Sequence, residues 1–67
     1  MKAVFKVPNI RTSEDVNKIR KVISSSEGVI ACQINKEKGK VSIVYDNYFI
    51  TENKIIQCIE DLGYAVL

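Results

Sequence analysis

Thr12 and Asp15 stand three positions apart in VPNIRTSEDVNKIR, residues 7–20, between a strand-like run and a helical one. A hydroxyl and a carboxylate are hard oxygen donors. They are too few for Mg²⁺ or Ca²⁺, which need six or more oxygens from protein and water, and they are the wrong type for soft Cu(I). Glu14 adds a second carboxylate, but adjacent residues at a helix start point in different directions. The two cysteines, Cys32 and Cys58, lie elsewhere in the chain. There is no histidine, which removes zinc sites of the Cys/His type. The sequence has no nucleophile elbow, no phosphate-cradling glycine loop and no evident pair of carboxylates in a cleft. Catalysis is not expected.

The same spacing has a structural use. Thr12-x-x-Asp15 is close to a capping box, in which a hydroxyl accepts an early helical N–H and the residue three on reaches back. Glu14 and Asp15 then sit in the first turn, where the helix dipole favours negative charge. Cys32 alternates with Ile30 and Ile34, and Cys58 falls on the apolar stripe of a later helix; both read as small core hydrophobes. Tyr45, Tyr48 and Phe49 cluster at the exit of a strand. They do not alternate along central strands as base-stacking aromatics would.

The elements around these residues belong to a chain of 67 residues, 46% hydrophobic, with one proline and three glycines. That length predicts one small domain, residues 1–67, with a modest core. No apolar run reaches the roughly 20 residues of a membrane span, and no signal peptide is expected at the start of the chain. Two cysteines make no disulfide framework, so a reducing, cytoplasmic setting is expected. The net charge of +2 is unevenly spread: residues 1–40 hold nine Lys/Arg against four Asp/Glu, and residues 41–67 one against four. A dipolar chain of this kind is not a nucleic-acid binder.

Periodicity gives the element order. Ala3, Phe5 and Val7 alternate up to Pro8 as a first strand. Val16, Ile19, Val22 and Ile23 form a helical stripe, predicting a helix over Ser13–Ser25. Ile30, Cys32 and Ile34 form a second strand, and Val41, Ile43 and Tyr45 a third, joined by a turn containing Gly39. Thr51 caps a second helix over Glu52–Leu62, and Tyr64–Leu67 is a closing strand. The βαββαβ order predicts an α+β, ferredoxin-like sandwich: a four-stranded antiparallel sheet with two helices on one face. Ile19, Ile23, Cys32, Ile34, Ile43, Ile55 and Ile59 are its expected core.

FKVPNIRTSEDVNKI, EGVIACQINKEKGKVSIVYD and IIQCIEDLGYAV together resemble the heavy-metal-associated domain, over Lys2 to Val66. That family includes small copper chaperones and the N-terminal modules of metal-transporting P-type ATPases. Its first loop carries Met-x-Cys-x-x-Cys; on this chain Ile10 falls at the methionine and Thr12 and Asp15 at the cysteines. The resemblance implies a degenerate metal site, with Cu(I) expected on family grounds alone and no cofactor expected from these residues. It implies that the second strand is a sheet edge, so that Cys32 and Cys58 are too far apart to share a metal or a disulfide. It places Tyr64 beneath the loop, near Ile10 and Thr12. It also implies a basic docking face of Arg11, Lys18, Arg20 and Lys21 against an acidic surface of a metal-transporting ATPase domain or related protein. The expected function is therefore a non-catalytic interaction or regulatory module. The alternative is genuine heavy-metal binding, of Cu or Zn, through Cys32 or Cys58 or a site shared between copies. Self-association is left open.

Overall fold

The computed structural model describes residues 1–67. It contains β1 (Lys2–Lys6), α1 (Ser13–Ser24), β2 (Val29–Asn35), β3 (Lys40–Tyr45) and α2 (Glu52–Asp61). Both helices end one residue before the expected position, and Ser25 and Leu62 are their C-caps. The strands make one antiparallel sheet in the order β1-β3-β2. Eleven buried hydrophobic residues form a single cluster that joins one face of this sheet to both helices.

The order of the strands explains which alternating residues become core. β3 is flanked on both sides, so its inward residues Val41, Ile43 and Tyr45 are buried. The register puts Ala3 and Cys32 on either side of Ile43, and Phe5 and Ile34 on either side of Val41. Ile19 and Ile23 of α1, with Ile55 and Ile59 of α2, close the core from above. Each such side chain contributes about 1.5–3 kcal/mol on burial.

Three expectations need correcting. The sheet has three strands, not four. Tyr64–Leu67 runs beside β1 but makes one ladder-like bond to it, from Leu67 N–H to Lys6 O at 2.9 Å. Ala65 N–H instead donates to Asn9 Oδ1 in the first loop, and the Tyr64 hydroxyl donates to Asp15 at the start of α1. Cys32 and Ile34 are half-buried, not buried, because an edge strand has a neighbour on one side alone. Ile30 is 70% exposed. A bulge between Val29 and Ala31 shifts the register there, so the inward position passes to Val29 and Ile30 leaves the alternation.

Gly39 connects the β2–β3 turn to the start of the first loop. It sits at φ +63°, and a Cβ there would lie 2.9 Å from Val7 O. Its own carbonyl accepts Val7 N–H at 2.6 Å. A side chain at this position would push against backbone as well as strain a left-handed conformation.

Candidate metal loop

The loop joining β1 to α1 covers residues 7–11 and delivers Thr12 to the helix N-cap. Thr12 is extended, at φ −121° and ψ 164°, and its Oγ1 accepts Asp15 N–H at 3.2 Å. Asp15 reciprocates: its Oδ2 accepts Thr12 N–H and Arg11 N–H, each at 3.1 Å. The predicted capping box is formed, with one donor more than its usual pair.

The other oxygen of Asp15 is also engaged. Tyr64, 49 positions along the chain, donates its hydroxyl to Asp15 Oδ1 at 2.5 Å. The Tyr64 hydroxyl, followed by the two backbone donors, lowers the Asp15 carboxyl from 3.8 to about 2. The same bond, with a smaller part from burial, pushes Tyr64 up to about 12. Asn9 makes a second tie by accepting Ala65 N–H at 3.2 Å. The loop is thus fastened to the C-terminal segment at two points.

Ile10 is buried at 4% exposure and anchors the loop in the core. Its N–H donates to Val7 O at 3.3 Å. Thr12 is exposed and spends its hydroxyl on the helix. The arrangement fits a carboxylate held by hydrogen-bond donors, not a soft cation: residues 7–16 carry no sulfur. Nowhere in the structure do three or more His, Cys, Asp or Glu side chains converge as a metal cluster. Cys32 and Cys58 are free thiols, both half-buried. Burial raises the Cys32 thiol, against a smaller opposing effect of the Arg20 charge. A thiol held protonated in this way is a poorer metal ligand than a thiolate.

Arg11, Lys18, Arg20 and Lys21 are all exposed. On α1, Lys18 and Lys21 are three apart and share one side of the helix. Arg20 is rotated away from Lys18, and its charge is felt at Cys32 on β2. The basic residues therefore wrap around α1 instead of lining a single stripe.

The family resemblance implied that Tyr64 lies close to the loop but did not identify its partner. Asp15 is the residue that reasoning missed as a tertiary acceptor, because its helical role alone accounted for it. An acid in the first turn of α1, with an aromatic hydroxyl expected nearby, was the available signal.

Comparison with known proteins gives this geometry a context. The family model of the heavy-metal-associated domain matches residues 4–65. The solution structure of apo-CopP from Helicobacter pylori superposes with a TM-score of 0.90 at 34% identity, covering 100% of both chains. The copper chaperone CopZ of Staphylococcus aureus (strain bovine RF122 / ET3-1) is 31% identical over 49 residues, 73% of this chain and 72% of the relative. A chain of the Atx1–Cu(I)–Ccc2a complex superposes with a TM-score of 0.89 at 26% identity, covering 98% of this chain and 90% of its own.

Proposed function

The chain belongs to the heavy-metal-associated domain family, and from that premise we propose that it is a copper-chaperone-like docking module whose loop is closed by hydrogen bonds in place of metal. The observation that carries this reading is the Asp15 carboxylate, with both oxygens occupied by donors from the loop and from Tyr64. Asp15 and Thr12 occupy the positions at which the family's motif has its cysteines. What organises this loop is a network internal to the protein, and no cargo is needed to complete it.

The module acts by binding, without catalysis. Arg11, Lys18, Arg20 and Lys21 present positive charge at the loop and on α1, suited to an acidic surface on a metal-transporting ATPase domain or related protein. The similarity to a chain of the Atx1–Cu(I)–Ccc2a complex supports a domain-to-domain contact of this kind. Charges of this sort set the rate and specificity of encounter more than the final affinity.

The test is a Cu(I) titration in competition with a chelator, with reductant present. The wild type binds weakly and without defined stoichiometry, whereas Thr12→Cys/Asp15→Cys, with two thiols at the helix N-terminus, binds one equivalent tightly. Tight one-to-one binding by the wild type would overturn the reading and direct attention to Cys32 and Cys58.

A further inference from the structure

The two edges of the sheet are finished differently. β1 carries Lys2 and Lys6 and is flanked by the C-terminal segment through the Leu67–Lys6 bond. β2, the opposite edge, is the longest strand at seven residues, VIACQIN, and contains no charge and no proline. Outside its ladder with β3, its one backbone bond is from Val29 N–H to Ser26 O, at 3.3 Å. Natural sheet edges are commonly guarded by lysine, proline, a bulge or a cover, because an open row of N–H and C=O groups pairs readily with another strand. The bulge in β2 guards its first residues alone; Ala31–Asn35 keep an unbroken register with β3.

We infer that β2 is a docking edge for the β2 strand of a second copy of this chain. The two strands run antiparallel about a two-fold axis near Cys32 and Gln33, and two three-stranded sheets become one of six strands. Charge selects this occupant. Since β2 is uncharged, self-pairing places no like charges opposite one another within the strands. Antiparallel pairing also lays the N-terminal flank of one copy beside the C-terminal flank of the other. Glu27 of each copy then approaches the exposed Lys36–Glu37–Lys38 turn of its mate, where two lysines outnumber the one acid. Parallel pairing would set those lysines against each other. The same surface serves both copies, so the assembly closes at two and does not propagate. Ile30 lies where the end of the mate's strand reduces its exposure. A contact between two short strands is small, so the association is weak and reversible.

Sedimentation velocity and light scattering from micromolar to millimolar concentration, in reductant, test this. The expected result is a mass rising from monomer toward dimer, with hydrogen exchange of β2 amides slowing in step. Ile30→Lys/Gln33→Lys, at two exposed positions, raises the dimer dissociation constant tenfold or more while circular dichroism is unchanged. Glu27→Lys weakens the dimer as well, and adding Lys36→Glu and Lys38→Glu restores it. A monomer at every concentration overturns the inference. So does a dimer indifferent to both sets of variants, or one whose protection maps to α1 and α2.

Discussion

Thr12 and Thr51 perform the same task at the starts of α1 and α2. Each residue is extended, and each hydroxyl accepts the N–H of the residue three ahead at 3.2 Å. The two caps differ in the side chain of that third residue. At α1 it is Asp15, which returns two backbone bonds and takes a third from Tyr64. At α2 it is Lys54, a donor that cannot return a bond to the cap. The dipole at a helix start also disfavours a cation there. One chain thus shows an ordinary cap and a reinforced one. The reinforcement falls where Tyr64 and Asn9 tie the first loop and helix start to the C-terminal segment.

The largest expected effect comes from removing the reinforcement. Asp15→Ala lowers the urea midpoint more than either threonine substitution, because three donors lose their acceptor at once. The loss depends on pH with a definite sign. The Asp15 carboxyl is lowered from 3.8 to about 2, so its stabilisation is complete above pH 4 and disappears as pH falls through about 2. Tyr64 is raised from 10.0 to about 12, so its share is complete below pH 10 and disappears as pH rises through about 12. Asp15→Asn removes the acid limb from a plot of stability against pH, and Tyr64→Phe removes the alkaline limb. Limbs that persist in both variants would mean the bond contributes nothing.

Next in size are the caps. Thr12→Ala and Thr51→Ala each cost about 1 kcal/mol in chemical denaturation. Amide exchange separates them. The start of α2 frays in Thr51→Ala, whose hydroxyl was the cap's one side-chain acceptor, while the start of α1 stays protected in Thr12→Ala because Asp15 still accepts Arg11 and Thr12. Equal fraying would show that the reinforcement is not used.

The smallest effect is a gain. Lys54→Glu gives α2 the reciprocal partner it lacks and a charge the dipole favours, adding about 0.3–1 kcal/mol. Thermal melts compared with the wild type check it, and an unchanged or lower midpoint would deny that the two helix starts differ for the stated reason.

Features set by local chemistry were legible in the sequence. The stripe Val16, Ile19, Ile23 gave α1, and Thr12-x-x-Asp15 gave its cap because both partners lie within one turn. Features set by the relation of strands to one another were not. The bulge at Ile30 is invisible to an alternation rule, since two registers of a short apolar run read alike until the opposing Val44 is in place. The closing strand failed for a related reason: Tyr64–Leu67 has the right residues for a strand, but the Asn9 side chain takes the backbone N–H of Ala65. At the loop, the helix start that seats Thr12 and Asp15 could be read from their spacing. The second oxygen of Asp15 was not accounted for, because its donor comes from the far end of the chain.

That distance has a kinetic consequence. The Tyr64–Asp15 bond closes a separation of 49 positions, so it cannot form before both halves of the chain are docked. An interaction made after the transition state leaves the rate of folding nearly unchanged and slows the reverse step. In a chevron plot, Tyr64→Phe should raise the unfolding arm and leave the folding arm in place; a shift confined to the folding arm would contradict this. The clasp would then govern how long the native molecule survives between openings, and so how often a protease or an aggregating neighbour meets it open.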